Sequence, residues 1–199
     1  MQTKVWTLGK KLAGNLIPLA FATPFAILGS LEILKEPNLI LSNALLWFAL
    51  VPVVGWNAVN LFGLFGNRKM RTTLARRLEQ VGHRAPIEKF FVGIATPSFH
   101  STLDAHEDVG FLLLYPDSLQ FWGDSKEIEI DRKNIVRIQK RLNIHTLLGL
   151  GGWIAIDGVM DGKPIRLCIE PRERDTLLGN SRLRGKFAAR LQLWLKDGQ

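Results

Sequence analysis

The stretch Leu39–Phe65, LILSNALLWFALVPVVGWNAVNLFGLF, contains no Lys, Arg, Asp, Glu or His. A helix over this stretch exceeds the roughly 20 residues that a bilayer core requires. A soluble core helix of similar length carries a polar face, whereas this one offers only scattered Ser and Asn. The stretch predicts a transmembrane helix.

A second apolar run, Leu12–Leu31, precedes it, behind Lys4, Lys10 and Lys11. Basic residues, an apolar run and AFA at Ala20–Ala22 also describe a secretory signal. The run continues well past Ala22, however, and another apolar stretch follows at once, so a first transmembrane helix is expected here. Pro18 and Pro24 lie inside it, which membrane helices tolerate. Ala22, Ala26 and Ser30 recur at every fourth residue and suggest a small-residue stripe where a second helix can approach. The link Glu32–Asn38, EILKEPN, is short enough to force an antiparallel hairpin. Basic residues flank the hairpin on both sides, whereas the link has Lys35 against Glu32 and Glu36. The positive-inside rule then places both chain ends in the cytoplasm. The expected protein is multi-pass.

Net charge is +8 over 199 residues, but its position matters more than its sum. Pro86–Glu170 carries nine basic and twelve acidic side chains, a balance of −3. The positive excess sits in Met1–Lys11, in Gly66–Ala85 and after Pro171. That distribution flanks a membrane and coats no single domain, so no nucleic-acid partner is expected. Cys168 is the lone cysteine, in the apolar run KPIRLCIE, and reads as a buried inert thiol.

Within Gly66–Ala85, Met70, Leu74, Leu78 and Val81 share one helical face with arginines around them. Two readings stand side by side. The segment either lies on anionic headgroups through Arg68, Lys69, Arg71, Arg76, Arg77 and Arg84, or packs on the next domain while its charges fix topology.

From Lys89 the period shortens to that of strands. KFFVGIA (Lys89–Ala95), Phe111–Tyr115, Leu119–Trp122, Glu127–Ile130 and Ile135–Lys140 are expected strands. GGWIAIDGVMDGKPIRLCIE is expected to form a hairpin turning at Asp161–Gly162. Asn180–Ser181 offers an N-cap for a final helix whose apolar stripe is Leu183, Phe187, Leu191 and Trp194. Trp122, Trp153 and Trp194 are expected in the core.

The segment GFLLLYPDSLQFWGDSKEIEIDRKNIVRIQK, with Gly110, Leu119, Phe121, Ile130, Ile135 and Ile138 at the matching places, resembles the PH-like superfamily, especially its GRAM-type and bacterial PH members. The resemblance spans about Phe90–Lys196. It implies a bent antiparallel β-barrel or sandwich plugged by a C-terminal helix, and a role in binding lipids, peptides or proteins. The first strand and its loop lack the Lys/Arg cluster of phosphoinositide-binding members.

The expected fold is therefore an α+β membrane protein. A transmembrane hairpin covers 1–65, a basic juxtamembrane helix 66–85, and a PH-like domain with its C-terminal helix 86–199. His100, Asp104, His106, Glu107 and Asp108 are residue types that ligate metals, but their spacing is not that of HExxH. His83 and His145 are isolated. Gly149–Gly152, GLGG, lacks the context of a phosphate loop and reads as a flexible lead into the Trp153 strand. No cofactor is expected. The leading expectation is a non-catalytic, membrane-anchored interaction module. Its expected partners are membrane lipids and a protein, or a second copy of the chain through the hairpin. The alternatives are an accessory subunit of a larger membrane complex and a metal-dependent membrane enzyme using the His100–Asp108 loop.

Overall fold

Apolar side chains repeat with a helical period before residue 66 and with a strand period after residue 87, and the architecture follows that change. The computed structural model describes residues 3–38, 43–82, 84–95 and 106–197. The chain divides into two compact units, Leu8–Phe65 and Met1–Thr7 with Gly66–Gln199.

The first unit consists of α1 (Leu8–Lys35) and α2 (Ala44–Phe62), both long and apolar enough to cross a membrane. They run antiparallel at close quarters. A Cβ added at Gly14 would come within 3.0 Å of the Gly63 carbonyl, and one at Gly29 within 2.9 Å of the Phe48 ring. Gly55 faces Ala22 in ordinary contact. The small residues at the interface are thus Gly14, Ala22 and Gly29, a correction to the expected Ala22–Ala26–Ser30 stripe. Steps of four residues drift around a helix, whereas the seven-residue step from Ala22 to Gly29 returns to within about 20°. Ser30 is exposed, and its hydroxyl donates to the Ala26 carbonyl.

The second unit is built on seven strands, β1 (Glu88–Ala95), β2 (Asp108–Leu114), β3 (Ser118–Gly123), β4 (Glu127–Asp131), β5 (Ile135–Arg141), β6 (Trp153–Met160) and β7 (Lys163–Pro171). They form one antiparallel sheet of order β4-β3-β2-β1-β7-β6-β5. The turn between β6 and β7 has positive φ at both Asp161 and Gly162, as the Asp-Gly pair predicts. Between β5 and β6 lies a single helical turn, α4 (Ile144–Leu147), and α5 (Leu177–Lys196) closes the chain.

Successive side chains of a strand point to opposite faces, and here both faces of the central strands are covered. One face supplies Val92, Ile94, Leu112, Leu114, Ile154, Ile156, Leu167 and Ile169 to a core closed by Phe187, Leu191 and Trp194 of α5. The other supplies Phe91, Val109, Phe111, Leu113 and Tyr115 to a second cluster with Met70, Leu74 and Leu78 of α3 (Asn67–Val81). This double burial explains why FFVGIA and GFLLLY read as nearly continuous apolar runs. Of the two readings of the basic segment, packing accounts for its apolar stripe, while Val81 stays exposed.

Two local expectations are corrected. The last helix begins at Leu177, not after Asn180, because the Thr176 hydroxyl accepts from the Gly179 amide and caps it. Asn180 lies inside the helix and clasps the backbone of Arg174 and Thr176. GLGG is a close-packed turn and not a loose lead: a Cβ on Gly151 would come 2.2 Å from a Glu170 carboxylate oxygen, and one on Gly152 1.6 Å from the Arg184 guanidinium.

Candidate functional site

The buried charged side chains His106, Glu170 and Arg172 gather around one row of the sheet. Gly93 of β1 and Glu170 of β7 are register partners on the face opposite the main core. Because Gly93 has no side chain, the imidazole of His106 lies directly over it; an added Cβ would stand 2.0 Å from the ring. His106 Nε2 is then 3.2 Å from Glu170 Oε2, and His145 Nδ1 of α4 is 3.0 Å from the same oxygen. The Gly152 amide donates to Glu170 Oε1 at 3.0 Å.

On its other side, His106 Nδ1 is 3.4 Å from Arg172 Nη1. A guanidinium only donates, so Nδ1 accepts and the ring proton sits on Nε2, facing Glu170. A neutral imidazole thus bridges a buried carboxylate and a buried guanidinium. Arg172 is 0 % exposed. Its Nε donates to Asn67 Oδ1 at 2.9 Å, and its guanidinium carbon lies 4.9 Å from the centre of the Trp6 ring. Asn67 returns its own amide to the Arg172 carbonyl at 2.7 Å and the Arg174 carbonyl at 3.0 Å. Trp6 Nε1 donates to the His106 carbonyl at 3.2 Å.

Burial sets the protonation states. Desolvation, helped by Arg172, lowers the His106 pKa to about 4. Burial acts to raise the Glu170 pKa, but His145 and His106 outweigh it and hold the carboxyl well below the usual range. Desolvation lowers Arg172 to about 10, against the pull of Glu170, so it stays charged at neutral pH. Cys168 packs nearby with Ala95, Trp153 and Ala155, and burial pushes its thiol up to about 11.

A second clamp lies beside the first. The Val5 and Trp6 amides donate to Asp124 Oδ2 at 2.6 and 2.7 Å. Arg77 of α3 bonds Asp124 Oδ1 at 3.1 Å and the Thr3 carbonyl at 2.6 Å. The residues just before α1 and just after α2 are therefore both fastened into the sheet unit.

Of the expected headgroup residues, Arg71 bonds the Glu173 carboxylate at 3.3 Å, Arg77 bonds Asp124, and Arg84 pairs with Asp117 at 3.5 Å. The side chains of Arg68, Lys69 and Arg76 project from the exposed face of α3 and make no ion pair or hydrogen bond among the described residues. His100 and Asp104 of the metal candidates, like His83, lie outside the described residues. Glu107 pairs with Lys126, and the buried Asp108 carboxylate accepts the Ser125 and Lys126 amides at 2.9 and 2.8 Å. Among the described residues no group of three or more His, Cys, Asp or Glu is disposed to hold a metal. Trp153 and Trp194 are buried, and Trp122 is half-buried against the second cluster.

Glu170, Arg172, His145, Asn67 and Trp6 were not legible as a site in the sequence, since they lie up to 166 positions apart (from Trp6 to Arg172). A charged residue ending the apolar run IRLCIE was the one available signal. No family model matches the chain, and no curated protein matches it.

Proposed function

We propose that this chain is a membrane-anchored interaction module: a transmembrane hairpin carrying a PH-like domain on the cytoplasmic side of an inner membrane, with acidic lipid headgroups as one of its partners. One observation carries the reading. Trp6 and Asn67, which bracket the two apolar helices, both close on Arg172. If the helices span the bilayer, such a grip keeps the residues before α1 and after α2 on the same side as the sheet unit to which they belong. The strand order and the helix that closes the core support the PH-like part.

The headgroup contact falls to Arg68, Lys69 and Arg76, because Arg71, Arg77 and Arg84 are engaged within the unit. Each basic residue near an anionic surface contributes about 1 kcal/mol. The test is native mass spectrometry of the full chain extracted in mild detergent. Replacing Arg68, Lys69 and Arg76 together by Gln is expected to strip co-purifying anionic lipid while leaving zwitterionic lipid unchanged. Equal retention of anionic lipid by the triple variant would remove the headgroup part of the reading.

A further inference from the structure

We infer that an extended peptide adds itself as a strand to the first half of β1 and seats an apolar and an acidic side chain in the groove between that strand and α5. This partner is distinct from the lipid headgroups assigned to α3.

β1 is paired on both sides over only part of its length. β2 pairs with Glu88–Ile94, whereas β7 pairs with Val92–Ala95. Successive residues of an antiparallel strand direct their backbone groups to opposite neighbours. The Phe91 carbonyl accepts from the Arg172 amide on the β7 side, and the Phe91 amide donates to the Glu173 carboxylate at 2.6 Å. Lys89, two residues earlier, turns its N–H and C=O to that same side, beyond the end of β7. An open edge of this kind is a template for a further strand.

Beside the edge lies a cavity of about 340 Å³ lined by Phe90, Pro171, Leu183 and Phe187. A smaller hollow of about 180 Å³, lined by Arg132 and Trp194, shares Glu88 and Arg190 with it. From residue 87 to residue 91 the edge is about 13 Å long, room for five extended residues.

Backbone and charge together select the occupant. Lys89 offers one donor and one acceptor, which a peptide backbone satisfies and an acyl chain does not. Phe187 packs on Phe90 at 4.4 Å between ring centres, and Arg190 bonds Glu88. With α5 held this close to the edge, a single strand fits and a second sheet does not. Of the charges at the rim, Glu88 is matched by Arg190 and Glu173 by Arg71. Arg132 and Lys186 make no ion pair among the described residues, which leaves two cations against Asp197 and favours an acidic ligand. An antiparallel strand centred on Lys89 sets its preceding residue over Phe90 and its following residue beside Glu88 and Arg190. The pattern that fits is an apolar residue followed two positions later by an acidic one.

The experiment uses the full chain in phosphatidylcholine nanodiscs, which keep detergent out of the groove. The probe is a blocked, fluorescein-labelled peptide, Thr-Phe-Thr-Glu-Thr, read by anisotropy, with Leu and Val versions at the Phe position. Saturable binding is expected, weakened at least tenfold by Lys89→Pro and changed less than twofold by Lys89→Ala. Proline removes the edge donor without breaking a ladder bond, because that N–H faces away from β2. Should Lys89→Pro not fold, N-methylation of the peptide's central Thr removes the donor to the Lys89 carbonyl and should also weaken binding at least tenfold. Exchanging the peptide's Glu for Lys should weaken it several-fold. Binding that survives both Lys89→Pro and the N-methyl peptide would overturn strand addition. So would the absence of saturable binding by all three peptides, or a fatty acid binding in this groove in their place.

Discussion

His106 is held neutral between Glu170 and Arg172, and that makes the junction sensitive to acid. With a pKa near 4 in the fold against 6.5 in the open chain, the unfolded state takes the proton first as pH falls. The stabilising contribution is therefore complete above about pH 6.5 and is lost between 6.5 and 4, to the extent of on the order of 3 kcal/mol. Glu170 is depressed and stays ionised through this window, while Arg172 stays charged beside the ring. Denaturant midpoints of the full chain in detergent should fall over that interval, and His106→Gln should flatten the slope. An unchanged slope in the variant would show that His106 does not titrate there. Glu170→Gln leaves Arg172 without its countercharge, a loss that typically costs about 3–5 kcal/mol. None of this was legible from local sequence. His106 sat in a group read for metal ligation, while its partners lay at the end of a strand and in two segments distant along the chain. The fold alone brings Gly93 opposite Glu170 and so opens the space for the ring.

At the level of elements, the sequence carried most of the sheet. Short apolar or alternating runs marked the strands to within a few residues, and Asp161–Gly162 marked their last turn. What it misjudged were ends and faces, which depend on tertiary neighbours. Thr176, not Asn180, starts α5, because Asn180 is needed to hold the loop before the helix. The stripe Met70–Leu74–Leu78 suits a membrane surface and a sheet equally well by period, and only the apolar outer face of β1 and β2 decides between them. The stripe of α5 was readable: Phe187, Leu191 and Trp194 are buried, and Phe187 meets Phe90 at 4.4 Å between ring centres. Phe187→Ala should cost about 3–5 kcal/mol. A melting point within a degree or two of the parent would mean that α5 does not close the core.

On the scale of the whole chain, the sequence implied three consecutive segments, and the contacts assign them differently. The first residues, as far as Thr7, belong with the sheet unit although the whole hairpin separates them from it along the chain. No reading of adjacent residues could reveal this, because the fastening runs from Val5 and Trp6 to Asp124 and from Trp6 to Arg172. It makes the N-terminal residues part of the cytoplasmic module in the proposed arrangement. Topology therefore tests the account most directly. Compartment reporters joined ahead of Met1 and after Gln199 of the full chain should both give the cytoplasmic signal. A periplasmic signal from either end would contradict it, since Trp6 and the sheet cannot meet from opposite sides of a bilayer.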